Sequence, residues 1–108
     1  MTFVKINNKL YPATVSGRMQ DKDWDNRESK AITLEMGYAT AVKLFVDGLA
    51  WSIVQREEID GETHETEFDN SEYNIAGDIT DHRDGTITVK MGKLTDLEEA
   101  YEIMFGGN

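Results

Sequence analysis

Residues 73–91 read YNIAGDITDHRDGTITVKM, and this stretch decides the fold class. Tyr73, Ile75 and Ile79 alternate with Asn74, Ala76, Asp78 and Thr80; Ile87, Val89 and Met91 alternate with Thr86, Thr88 and Lys90. Successive strand side chains point to opposite faces, so a period of two with one polar face means strands covered on one side only. Asp81-His82-Arg83-Asp84-Gly85 joins them, with Gly85 able to take a left-handed conformation. One-sided burial suits an antiparallel sheet better than a parallel one.

The same alternation recurs upstream. Tyr11, Ala13, Val15, Gly17 and Met19 interleave with Pro12, Thr14, Ser16 and Arg18; Ile32, Leu34 and Met36 with Ala31, Thr33 and Glu35; Leu49, Trp51 and Ile53 with Ala50, Ser52 and Val54. Asn7-Asn8 tolerates positive φ and predicts a hairpin between Phe3–Ile6 and Leu10–Met19. Pro12 lacks an N–H, which pushes its strand towards an edge. A helix is expected over Asp96–Phe105. Thr95 and Glu98 have capping-box spacing, Leu97, Ala100, Tyr101 and Met104 form one stripe, and Glu98, Glu99 and Glu102 face away. Gly106 can close that helix, so Gly106-Gly107 reads as a helix stop despite a superficial likeness to a ubiquitin tail. Thr40–Val46 reads either as a short helix or, through Val46-Asp47-Gly48-Leu49, as a hairpin; Ala39 and Ala41 weaken a strand and favour the helix.

The expectation is therefore an α+β fold. A mainly antiparallel sheet of five to six strands carries the C-terminal helix and the short central helix on one face. Asp21–Ser29 and Asp60–Ser71 read as long loops, where function tends to reside. The 108 residues suffice for a single domain with a real core. The chain has no cysteine, which excludes disulfides, thiolate metal sites and a cysteine nucleophile. No apolar run reaches membrane-spanning length, and Met1–Lys5 lacks a signal-peptide layout.

Charge is unevenly distributed. Residues 1–56 hold 6 acids and 8 bases, whereas residues 57–84 hold 11 acids against Arg83 alone, which equals the whole net charge of −10. Without a basic stripe, binding to nucleic acid through phosphate neutralisation is not expected, and anionic membranes are disfavoured likewise. Glu62, Glu65, Glu67 and Asp69 are candidate contacts for a basic partner; the plainer reading is a solvated loop and edge strand.

Few residues point to chemistry. Asp21, Asp23 and Asp25 fit positions 1, 3 and 5 of a calcium loop, but Asn26 replaces its glycine and Ile32 its bidentate Glu. An acidic loop with Lys22, Arg27 and Lys30 as counterions is the simpler account. Trp24, flanked by these charges, is either an interface anchor or a cover over the sheet edge. His64-Glu65-Thr66-Glu67-Phe68 lacks the second histidine of a zinc-protease motif, and His82 sits in a turn. There is no nucleophile elbow and no phosphate-binding loop, so neither an enzyme nor a cofactor or metal is expected.

Lys5–Pro12 (KINNKLYP), Met19–Met36 (MQDKDWDNRESKAITLEM), Leu44–Val54 (LFVDGLAWSIV) and Asp69–Lys93 (DNSEYNIAGDITDHRDGTITVKMGK) together resemble small proteins of tailed bacteriophages and prophages of Gram-positive bacteria. Glu57–Phe68 shows no such pattern. The resemblance implies a tail-module component made in the bacterial cytoplasm and associated with virions. It brings no catalytic residues. Three readings follow. The first is a structural or interaction protein that contacts other subunits, itself included, through Trp24, Asp21, Asp23, Asp25 and the acidic run. The second is an acidic inhibitor or DNA mimic of a host nucleic-acid-binding protein. The third is a small glycan-binding module.

Overall fold

The computed structural model describes residues 1–106. In chain order they form β1 (Thr2–Ile6), β2 (Lys9–Asp21), β3 (Arg27–Glu35), α1 (Tyr38–Leu44), β4 (Ser52–Ile59), β5 (Glu62–Asp69), β6 (Ile75–Asp81), β7 (Thr86–Gly92) and α2 (Asp96–Tyr101), which continues as a π-helical turn over Glu102–Gly106. All seven strands belong to one sheet in the order β5-β4-β1-β2-β3-β7-β6, and every neighbouring pair is antiparallel.

β2 joins the two halves of this sheet. Its residues Lys9–Pro12 pair with β1, and Ala13–Asp21 pair with β3. Pro12 is thus not on an edge strand; β2 lies in the middle of the sheet. Its missing N–H falls where the strand leaves one neighbour for the other, so the ladder loses little. Asn7 and Asn8 take φ of 53° and 64°, as the opening hairpin requires. The hairpin at 73–91 also forms, with Gly85 at φ 94°.

The sheet has seven strands rather than five or six. The extra one is β5, inside the segment read as a loop at Asp60–Ser71. All eight of its residues are exposed, and it pairs only with β4. A strand wet on both faces has no apolar alternation to detect. Asp60 (φ 53°) and Gly61 (φ 80°) supply its two-residue turn. The second expected loop, Asp21–Ser29, shrinks to Lys22–Asn26, because polar residues at both its ends join β2 and β3.

The core lies on one face. Val4, Ile6, Ile32, Leu34, Ile53, Ile87, Val89 and Met91 point into it from the strands, and Ala41 and Phe45 close it from α1. The central segment is therefore a helix, starting two residues earlier than expected. Asp47 and Gly48 do not make a hairpin but tie the chain to β6: Gly48 N–H donates to the Asn74 carbonyl (2.7 Å) and the Asp47 carboxylate accepts from Ala76 N–H (2.8 Å).

The C-terminal helix starts where expected, and its capping box is complete. Glu98 N–H donates to Thr95 Oγ1 (3.2 Å) and Thr95 N–H to Glu98 Oε1 (2.9 Å). It does not pack on the sheet. Leu97, Tyr101 and Met104 are 81%, 63% and 72% exposed, so the stripe that predicts the helix faces water. Gly106 ends the π-helical turn; Gly107 lies outside the described residues.

Trp51 is the largest fully buried side chain, and its indole N–H donates to the Tyr73 carbonyl at 2.9 Å. Trp51→Phe removes that donor and leaves a void. It is expected to destabilise the protein by about 2–3 kcal/mol, read as a lower urea midpoint at unchanged slope.

Candidate functional site

The turn between β2 and β3 is built on Asp21. Its carbonyl accepts from Trp24 N–H (3.0 Å) and Asn26 N–H (2.9 Å), and Asp25 and Asn26 both take φ of 57°. Its carboxylate is fully buried, not an exposed interaction residue as expected. Oδ2 accepts from Lys90 Nζ (2.8 Å) and Ser29 Oγ (3.2 Å), and Oδ1 from Asp23 N–H (3.1 Å). The Lys90 hydrogen bond holds this carboxyl below the usual carboxylate range against the opposing effect of burial. A cation recruited from β7 thus occupies the acid that would head a calcium loop. Asp23 and Asp25 remain exposed. Among the described residues, no three His, Asp or Glu are grouped to hold a metal ion.

Trp24 folds back over the sheet. Its ring lies on Gly77 of β6 and Gly92 of β7, so close that a Cβ at either glycine would come within 2.7–2.9 Å of the ring or of Arg27. Glycine inside a strand marks such an approach, and these two were the available sequence signal. β6 and β7 slip register between Ala76 and Ile79, next to this seat.

Arg27 stacks its guanidinium on Trp24, 4.8 Å from the ring centroid, and its side chain is only 4% exposed. It donates to the Lys93 carbonyl (2.8 Å) and, through two nitrogens, to both oxygens of Glu98 (2.9 and 3.1 Å). This fork anchors α2 to the start of β3. The Arg27 guanidinium draws the Glu98 carboxyl down to about 2. The sequence marked Arg27 only as a local counterion. Its partner, 71 residues away, carried no sequence signal.

An open cleft of about 550 Å³ adjoins the anchor, walled by Met19, Gln20, Glu28, Glu72 and Lys93. Its charges answer one another: Lys93 lies 3.6 Å from Glu28 and 3.4 Å from Glu72. Tyr73 donates its hydroxyl to Glu28; burial and then this acceptor raise the Tyr73 pKa, while the same bond lowers that of Glu28.

The acidic run is divided. β5 and β6 are opposite edges of the sheet, so the acids of 57–84 do not form one continuous array. On β5 itself, alternation puts Glu65, Glu67 and Asp69 on one face and Glu62 on the other. Glu65 meets Arg56 (3.3 Å), Glu67 meets Lys5 (3.2 Å), and Asp69 accepts from Ser71 Oγ (2.6 Å). These acids lie at the far edge from Trp24, and the structure does not bring the two groups together. The two tryptophans share no surface either: Trp51 is core and Trp24 sits on β6 and β7.

The residues that stand out include three that the sequence placed on the helix's inward stripe, Leu97, Tyr101 and Met104. Leu97, Tyr101, Ile103, Met104 and Phe105 are all exposed on the anchored helix and its π-helical turn, with the Tyr101 and Phe105 rings 4.9 Å apart. This is the candidate site, an apolar surface fixed by an ion pair whose guanidinium is buried. Compared with known proteins, the chain matches no family model, no curated protein and no solved structure. No helix among the described residues is long and apolar enough to cross a membrane.

Gly92→Ala forces the Trp24 ring and Arg27 Cδ to move and is expected to cost about 2 kcal/mol. Adding Trp24→Ala should make the pair strongly non-additive, the second change costing less in the Gly92→Ala background than alone, as a double-mutant unfolding cycle would report.

Because the folded Glu98 pKa lies below its ordinary 4.5, its hold on α2 is complete above that pH and lost as pH falls towards about 2. The protection factors of the amides over Glu98–Glu102 are expected to fall across that window, and Glu98→Gln to flatten their pH dependence.

Proposed function

We propose that the protein is a non-enzymatic interaction module that works through protein–protein contacts, as a tail-associated component of a phage or prophage. The exposed apolar surface of the C-terminal helix carries the reading. Exposed apolar patches mark interaction sites, and here five large side chains, each at least 63% exposed, lie on one short helical segment. The helix is not loosely attached: a buried guanidinium holds it in a two-pronged bond. Such preorganisation lowers the ordering cost of binding. The likeness of Lys5–Pro12, Met19–Met36, Leu44–Val54 and Asp69–Lys93 to phage tail-module proteins supports the setting.

Leu97→Asp/Tyr101→Asp tests this reading, because both positions are exposed and the core is untouched. In a gradient of lysate from producing cells, the wild-type protein is expected with a discrete assembly or particle, and the variant in the monomer fractions. Wild-type protein found only as a monomer would overturn the reading.

A further inference from the structure

Beyond Pro12 one side of β2 has no neighbour. β1 pairs only with Lys9–Pro12, and Ala13–Arg18 pair with β3 alone. An open groove of about 610 Å³, lined by Met1 and Thr2 at the start of β1 and by Tyr11–Thr14 of β2, marks where the two strands part. The opening hairpin shows which backbone groups are left open. Ile6 and Lys9 flank its two-residue turn, so they exchange both hydrogen bonds. Alternation from Lys9 turns the N–H and C=O of Ala13, Val15 and Gly17 towards the unpaired side. A register shift after Arg18 ends the regular run. Thr14, Ser16, Gly17 and Arg18 are all exposed.

This edge differs from the other two. β5 carries Glu62, Glu65, Glu67 and Asp69, and β6 carries Asp78 and Asp81. Like charges facing one another oppose strand pairing, and charge is one way in which edges are protected. Pro12–Arg18 holds no acid, and Arg18 is its single charge. Pro12 does not block the edge, because the same alternation puts its nitrogen on the β3 side.

Open backbone groups at the strand repeat are satisfied by another extended strand. The chain itself offers one, with the same open groups and no opposing charge. We infer that two copies of this chain pair edge to edge through Ala13–Gly17 of β2, antiparallel about a two-fold axis at Val15. This register engages all three open residues: Val15 meets Val15, and Ala13 meets Gly17 of the other copy. Thr14 then faces Ser16 and Arg18 faces Pro12, so no like charges meet. A two-fold contact is self-complementary and closes on the dimer. One strand edge is a small interface, so the pair forms in concentrated protein, at roughly 100 µM and above.

The purified full chain tests it. Light scattering from micromolar to millimolar protein should show the mass rise from monomer to dimer and stop there. Thr14→Glu/Ser16→Glu and Thr14→Lys/Ser16→Lys each set like charges opposite one another on both sides of the axis. Each should pair more weakly than the wild type by roughly fivefold or more. Mixed in equal amounts they should form a dimer again, because every Glu then faces a Lys. A charged variant that pairs like the wild type, or a mixture that stays monomeric, would overturn the inference.

A second arm fixes the register. The chain has no cysteine, so Thr14→Cys and Ser16→Cys can be made singly and mixed under oxidation. Facing residues of a non-hydrogen-bonded pair have Cα atoms about 4.5 Å apart, within disulfide reach. A disulfide between the two variants, exceeding either homodimer, is expected; its absence rejects the edge contact. The helix variant Leu97→Asp/Tyr101→Asp should still dimerise when pure and concentrated. If it does not, the contact lies on the helix and the edge inference fails while the interaction reading stands. Wild-type protein that pairs when concentrated but enters no assembly in cells would refute the interaction reading and leave the edge contact supported.

Discussion

The buried guanidinium of Arg27 ties the turn after β2 to the stretch around Lys93 and Glu98, 66 and 71 residues further on. Its plane rests on Trp24, one nitrogen reaches the Lys93 carbonyl, and two nitrogens grip Glu98. Losing Glu98 leaves the buried guanidinium without its two-pronged carboxylate, a larger penalty than loss of a surface pair. The turn after β2, the glycine seat on β6 and β7, and the exit of α2 are therefore determined together. Gly77 and Gly92 let the indole lie flat, the indole supports the guanidinium, and the guanidinium sets where the helix leaves the sheet. An apolar surface on a freely moving tail would be an aggregation hazard. On this anchor it has a fixed position.

The same network explains which parts of the fold were legible in the sequence. Period-two alternation finds strands that bury one face, so the hairpin of β6 and β7, the centre of β3 and the opening asparagine turn could all be read. It cannot find β5, whose residues are wet on both faces and whose existence depends on the backbone ladder with β4. It also understates β3, which begins with Arg27 and Ser29 buried as polar groups rather than with apolar residues. The capping box at Thr95 and Glu98 is a local signal and was fully readable. The long-range role of Glu98 was not, since nothing in Thr95–Glu99 encodes a partner on β3.

The site was misread for a related reason. An amphipathic helix pattern records that one stripe avoids water somewhere, not where. Leu97, Tyr101 and Met104 suggest packing on the parent sheet, yet α1 already closes the core there with Ala41 and Phe45. Conversely, Asp21 reads as a surface acid because its counterion, Lys90, is 69 residues away. Acids and apolar residues thus exchange their expected places: an aspartate lies in the interior and a leucine stands in solvent. Both exchanges occur around β3, and both follow from pairings that only the tertiary fold makes.

The division of charge has a consequence for association. At a net charge of −10, two copies repel at long range, and repulsion between chains keeps a protein with an exposed apolar patch soluble. That repulsion is not uniform over the surface. Six of the acids of 57–84, Glu62, Glu65, Glu67 and Asp69 on β5 and Asp78 and Asp81 on β6, lie on the two edge strands, where open backbone groups would otherwise template strand pairing. Approach along an edge meets charge of the same sign. Salt screens this long-range repulsion but leaves apolar burial almost unchanged. Charge on these edges thus disfavours strand-to-strand association along β5 and β6 without covering the exposed apolar side chains of the helix.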